Sequence, residues 1–256
     1  MELLLDDQAD AVASTVDQFV RVSTPGDSVV CLLALDESRG GDGIVATEQI
    51  QDIADLEGKT IAMSSPGVSV FYLNVLLAEV GLTTAQLEIV EATAEDAAAA
   101  FELGDVDAAA TWEPWLTAAA ATDHGHILTD SSERPGLIAD CLGTKRSTLE
   151  ARMDEFRALA RGWAAAVDFY EAYPEDAIEI MARHVGGWLE DPAAFAEALE
   201  GVRLYDGEGN QAYFGTVQEP GPIYDTAQKG IDVWTRLGVL EAEIAPSDIV
   251  GHGVWD

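Results

Sequence analysis

The run Ser64-Ser65-Pro66-Gly67-Val68-Ser69 gathers three hydroxyls and a glycine between two apolar stretches. Before it, Thr60-Ile61-Ala62-Met63 is short enough for a buried strand; after it, Val70, Phe71, Leu73, Val75, Leu76 and Leu77 suit a mostly buried helix. Ser65 can cap that helix with Pro66 in the first position, or Ser69 can cap a slightly later start. The first N–H groups of a helix have no partner within it and carry partial positive charge, so with the serine hydroxyls they make an anion cradle. A capped helix without any ligand produces the same pattern. Two further turns offer related chemistry. Thr111-Trp112-Glu113 combines a hydroxyl, an aromatic wall and a carboxylate able to accept from a ligand amine, and Ser14-Thr15 offers two more hydroxyls. Pro114 and Trp115 read as a helix start and a core residue.

The elements that must position these turns alternate. Glu2–Val20 and Ala99–Thr117 echo one another: a short helix, an acidic turn (Asp6-Asp7, Gly104-Asp105), an Asp-Ala strand, a hydroxyl-bearing turn and a further helix. Two copies imply two similarly built α/β lobes rather than a solenoid. Strands alternating with helices predict parallel sheets with the three turns at their carboxyl edge. Two extended crossings, Asp36 to Thr47 and Asp130 to Thr144, divide the chain into residues 1–47 plus 130–256 and residues 48–129, and are candidate hinges. After Lys145 the pattern is helical: a segment from Ser147 to about Tyr173, others opened by Pro174, Pro192 and Pro222, and a loop at Gly201–Gly215. Gly186-Gly187 stops the second of these, and Trp163, Phe169, Trp188 and Trp234 read as core.

Composition narrows the function. The chain has 256 residues, with 13 Lys+Arg against 47 Asp+Glu, a formal charge of −34. The acids are spread over every segment, while the lysines are Lys59, Lys145 and Lys229 alone. Such a surface repels nucleic acid and anionic membrane and suits high salt, where screening shortens self-repulsion. No apolar run is long enough to span a membrane, and the first residues show no secretion signal. Cys31 and Cys141 read as core thiols, with a disulfide between them as the other possibility. His124, His126, His184 and His252 lack metal-ligand spacing, so neither metal nor cofactor is expected.

Several pieces occur in a telling order: Asp36-Glu-Ser38-Arg-Gly-Gly-Asp42-Gly-Ile-Val-Ala46, Asp55-Leu-Glu-Gly-Lys-Thr-Ile-Ala62, the Ser64–Ser69 turn, Gly104-Asp-Val-Asp107, Thr111-Trp-Glu-Pro-Trp115, Tyr173-Pro-Glu-Asp-Ala177 and Ala212-Tyr-Phe-Gly215. Over nearly the whole chain this order resembles the solute-binding proteins of ABC importers, in the nitrate/sulfonate/taurine/bicarbonate group. The resemblance implies an α/β fold, a two-lobe type II periplasmic-binding fold with a helical C-terminal region. It also implies capture of a small anionic or zwitterionic solute between closing lobes, an extracytoplasmic location, and a membrane permease and an ATPase as partners. A monomer is expected. The ligand set it implies is Ser14, Thr15, Ser38, Ser64, Ser65, Gly67, Val68, Ser69, Thr111, Trp112 and Glu113. Asp36 and Asp42 are assigned to the hinge, with Asp42 accepting backbone N–H bonds. Members of that group begin with a first strand, helix and second strand for which this chain shows no counterpart, so an incomplete first lobe is expected. Thiamin-pyrimidine synthases resemble the same group, which leaves a pyrimidine-precursor binder or synthase as the alternative; no cysteine-rich motif or nucleophile–base pair supports an enzyme. A transcription regulator's effector domain is disfavoured by the lack of a basic helix-turn-helix segment.

Overall fold

A computed structural model describes the chain apart from Asp27, Gly186, Asp256 and the side chain of Trp188. It divides into two compact units: residues 1–37, 138–199 and 203–256, and residues 38–137 with 200–202.

The first unit opens with α1 (Glu2–Leu5), β1 (Val12–Thr15), α2 (Val16–Val22) and β2 (Val29–Ser38). The second holds β3 (Asp42–Thr47), β4 (Thr60–Met63), α3 (Val68–Glu79), β5 (Glu88–Glu91), α4 (Ala94–Glu102), β6 (Ala108–Trp112), α5 (Trp115–Ala120) and β7 (Gly125–Asp130). The chain then returns through β8 (Ala139–Lys145), α6 (Arg146–Ala151), α7 (Met153–Ala172), α8 (Pro174–Val185), α9 (Pro192–Leu199), β9 (Val202–Leu204), α10 (Gly207–Phe214), α11 (Ile223–Arg236) and α12 (Pro246–Ile249).

The second sheet runs β5-β4-β6-β3-β7. β4 pairs in parallel with β5 and β6, whereas β3 is antiparallel to β6 and β7. Because Asp42–Thr47 is hydrogen-bonded on both sides within this sheet, the chain changes unit at 37/38 and 137/138 rather than at 47/48 and 129/130. The first of the two expected crossings, Asp36 to Thr47, is therefore mostly strand, and the second holds a short turn at Ser131–Glu133 and most of β8. Val45, Ala62, Phe101, Ala109 and Leu116 form a fully buried core on one face of the sheet. Gly41 and Gly201 touch backbone to backbone: a Cβ on Gly41 would lie 2.9 Å from the Gly201 carbonyl oxygen, so only glycine fits.

The first sheet runs β1-β8-β2-β9. Both pairings of β8 are antiparallel, against the parallel expectation, because β8 returns from the second unit and inserts between β1 and β2. The echo survives as helix–strand–helix, α1-β1-α2 and α4-β6-α5, but its strands begin at Val12 and Ala108, later than Ala9 and Val106, where the sequence pattern starts the Asp-Ala strands. Cys31 and Cys141 are buried free thiols, and burial pushes the Cys141 thiol well up.

The tail differs in detail from its sequence reading. Ser147 sits inside α6, which starts at Arg146, and a break at Arg152 separates α6 from α7. Gly201–Gly215 is not a loop, since it contains β9 and α10; Asp206 caps α10 by accepting from the Gly209 N–H. Trp234 is buried and donates from Nε1 to the Asp17 carbonyl at 3.0 Å. Trp163, partly buried, donates to the Tyr205 carbonyl at 2.8 Å. Phe169 is not core: it is 40% exposed. Gly186 and the Trp188 side chain lie outside the described residues. No helix among those described is long and apolar enough to cross a membrane.

Candidate functional site

The second unit brings its chemistry to one edge of its sheet. Met63, the last residue of β4, pairs with Ala110 of β6 and with Glu91 of β5, so all three strands leave the sheet on the same side. β3 runs the other way, which sets its first residue, Asp42, opposite Trp112, and Gly43 opposite Asp130 at the end of β7. The Ser64–Ser69 turn, Thr111–Glu113, the 38–42 connection and Ser131 therefore share that edge.

Most of its polar groups are already committed. The Ser38 and Ser131 hydroxyls lie 2.7 Å apart. Ser131 Oγ accepts from the Gly40 N–H at 2.8 Å, and Ser38 Oγ accepts from the Asp42 N–H at 3.0 Å. This buried pair of serines thus ties down the 38–42 connection. Asp130 caps the short turn that presents Ser131, accepting from the Ser132 N–H at 2.8 Å. Thr111 is 2% exposed and donates to the Ala94 carbonyl at 2.9 Å, pinning the start of α4 to β6. The Glu113 carboxylate accepts from the Thr117 hydroxyl at 2.6 Å and from the Thr117 N–H at 3.2 Å, closing the first turn of α5.

The start of α3 is different. Its N-cap is Gly67, extended at φ −173°, and not Ser65 or Ser69. Ser69 already lies within the helix and Ser65 precedes the cap, so neither can occupy that position. No side chain caps the helix. The Gly67 carbonyl accepts from the Val70 and Phe71 N–H groups at 3.1 and 3.3 Å, which leaves the Val68 and Ser69 N–H groups ahead of the ladder. No carboxylate stands in the first turn of α3. By contrast α4, α7, α8, α10 and α11 each carry one or two there, and Asp191 caps α9 by accepting from the Ala193 and Ala194 N–H groups. The positive end of α3 is thus left unneutralised by its own chain. Ser64 and Ser65 are half-buried beside it, and Ser69 is buried. Trp112 is half-buried with its ring edge-on to Trp115, the centroids 6.2 Å apart, and Trp115 packs on the core as expected. One helical turn along α3, burial pushes the Tyr72 phenol up to about 12, so it remains a neutral hydroxyl at any working pH.

In the first unit, Ser14 and Thr15 end β1, opposite Cys141 and Asp140 of β8, and Thr15 is the N-cap of α2. Asp17 follows in the first turn, 1% exposed. One carboxylate oxygen accepts from Gln18 Nε2 at 2.7 Å, while the other, Oδ1, is buried without a partner. Burial raises its pKa to about 6, against the opposing pull of Thr15, Gln18, Arg21 and Trp234. Asp36 pairs with Asp140 in the β2–β8 ladder. Ser131 and Asp17 were not singled out from the sequence. The Asp-Ser-Ser start of a turn signals the first, and nothing in the pattern around residue 17 signals the second. Among the described residues no cluster of His, Cys, Asp and Glu could hold a metal ion; the His124 ring instead lies 3.0 Å from the Phe101 carbonyl.

Residues 1–177 match the family described as NMT1/THI5-like. The chain belongs to that family. A putative aliphatic sulfonates-binding protein of Escherichia coli K12 is 31% identical over 90 residues, which are 35% of this chain and 28% of that protein. The match thus spans little more than a quarter of that relative's length. Among solved structures, the periplasmic aliphatic sulphonate-binding protein SsuA of Escherichia coli is similar with a TM-score of 0.77 at 18% identity, covering 99% of this chain and 84% of that one. The periplasmic nitrate-binding protein NrtA of Synechocystis is similar with a TM-score of 0.62 at 15% identity, covering 96% and 72%. These likenesses establish the two-sheet α/β fold of periplasmic binding proteins for this NMT1/THI5-like chain.

Proposed function

We propose that this NMT1/THI5-like chain is the extracytoplasmic solute-binding component of an ABC importer, a non-enzymatic module that delivers a small oxoanion to a membrane permease with its ATPase. The observation that carries this reading is the start of α3. In a chain of charge −34, this helix begins without a carboxylate and without a side-chain cap, beside half-buried serines. Backbone N–H groups and hydroxyls at a helix start bind anions at contact distance, where the distant surface charge is screened. Trp112 at the same edge supplies an apolar wall for the remainder of the solute. The sulfonate- and nitrate-binding relatives take ligands of the same class, which favours it over a pyrimidine precursor. Ser64, Ser65, Gly67, Val68 and Ser69 are the proposed anion contacts, with Trp112 beside them. Ser38, Thr111 and Glu113 are proposed to hold the edge in shape, and Ser14 and Thr15 to contribute from the first unit. Asp36 and Asp42 flank the point where the chain first passes from one unit to the other and are the proposed hinge.

A thermal-shift series in high salt with nitrate, taurine, alkanesulfonates, bicarbonate and pyrimidine precursors tests the reading. At a hundredfold excess over Kd a ligand stabilises by about 2.7 kcal/mol, an easily measured rise in Tm. The expected result is a shift with an oxoanion that is lost in the Ser65→Ala/Ser69→Ala double variant. A cooperative melt that no oxoanion moves would overturn it.

A further inference from the structure

The second unit buries one hydroxyl that nothing in its own fold uses. Tyr72 lies on α3, 2% exposed, and no group stands in hydrogen-bonding geometry to its phenol oxygen. A hydroxyl buried without a partner is destabilising, and phenylalanine would fill the same space without it. The same unit holds another such atom, His126 Nδ1, but His126 pairs with Ala46 toward the opposite end of β7. Two observations aim the Tyr72 hydroxyl at the edge where α3 begins. Helical side chains lean toward the start of their helix, so Tyr72 covers the turn that holds Val68 and Ser69, four and three residues before it. The groups that act electrostatically on the phenol are Thr129, Asp130, Glu133 and Arg134, at the last residues of β7 and just beyond them. Asp130 ends β7 opposite Gly43, on that same edge. These neighbours are occupied with one another. Arg134 pairs with Glu79 at 2.7 Å and with Glu133 at 3.3 Å, and its Nη1 donates to the Thr129 hydroxyl at 3.4 Å. Asp130 accepts from the Ser132 N–H. The Thr129 hydroxyl is near enough to favour the ionised phenol slightly, yet it stands outside hydrogen-bonding geometry to it.

We propose that Tyr72 is a solute contact, its hydroxyl donating a hydrogen bond to one oxygen of the oxoanion held at the start of α3. The inference rests on the anion reading of that helix start and adds a donor of another kind to it. The Val68 and Ser69 N–H groups point along the helix axis, whereas the phenol comes from the side of the helix. Burial keeps the phenol neutral, so it donates at any working pH without adding charge. The one guanidinium nearby is already matched by Glu79 and Glu133, which leaves neutral donors to hold the anion. The hydroxyl then finds its acceptor in the bound solute. It is a binding residue and not a stabilising one, and that separates it from Thr111 and Ser131, whose hydroxyls are used within the fold.

The test is calorimetric titration of the full chain in high salt with ethanesulfonate and with nitrate, alongside thermal melts without either. Tyr72→Phe is expected to melt no lower than the native chain, because it removes an unpaired hydroxyl and keeps the ring. Its affinity for whichever probe the native chain binds should fall by about ten- to a hundredfold, the loss expected for a hydrogen bond to a charged group. Ser65→Asp reports on the helix start itself and should lower affinity whether or not Tyr72 takes part. If Tyr72→Phe binds as tightly as the native chain, water satisfies the hydroxyl; the inference falls and the anion reading stands. If Tyr72→Phe melts lower, the hydroxyl serves a partner within the fold, and the inference falls as well. A native chain that binds neither probe, or a Ser65→Asp variant that binds as well as the native chain, overturns both.

Discussion

The turn from β1 into α2 and the turn from β4 into α3 begin alike, with hydroxyl residues at the end of a strand and a helix directly after. Their chemistry then diverges. α2 carries Asp17 in its first turn, a buried carboxylate that occupies the positive end of its own helix. α3 carries none, and its cap is a glycine without a side chain to spend. The lesson is that a hydroxyl-rich strand-to-helix turn becomes a candidate anion site through what its chain leaves out. The serines of the 38–42 connection make the same point, since Ser38 and Ser131 use their hydroxyls on each other and on backbone N–H groups.

The largest expected effect removes that contrast. Ser65→Asp gives α3 a carboxylate like that of α2 and should weaken oxoanion binding by about a hundredfold or more while leaving the melt cooperative, read by calorimetric titration. The reverse change comes next. Asp17 has a native pKa of about 6 against an ordinary 3.8, so the folded state holds its proton more tightly than the unfolded one. Its contribution is intact below pH 4 and is lost as pH rises to 6, by about 3 kcal/mol. Asp17→Asn should therefore gain that much over the native chain at pH 7 and little at pH 4, measured by denaturant unfolding at both. Smaller effects sharpen the division between committed and available groups. Ser131→Ala leaves the Gly40 N–H and the Ser38 hydroxyl short of a partner and should cost roughly 1–3 kcal/mol of stability. Thr111→Val should cost about 1 kcal/mol through the lost bond to the Ala94 carbonyl, with solute affinity unchanged in titration. A Thr111→Val variant that folds normally but loses affinity would return Thr111 to the ligand set.

Parts of both units were legible because their signals are local. The strand at Thr60–Met63, the helix after Gly67 and the tail helices opened by Pro174, Pro192 and Pro222 follow from apolar runs and turn residues within a few positions. The hydrogen-bond partners of Ser38, Thr111 and Glu113 were not legible: Ser131 and the Ala94 carbonyl are brought by folding, and Thr117 by the first turn of α5. The antiparallel first sheet was hidden for the same reason, since the segment that inserts between β1 and β2 returns only after the whole second unit.

By itself, the sequence determined the class of chain, its charge, most of its helices and the serine turn that opens α3, because composition and short-range periodicity are properties of neighbours. Only the tertiary structure decided which hydroxyls are already committed to other groups and that Asp17 is buried. Those outcomes depend on desolvation and on contacts between residues far apart in the chain.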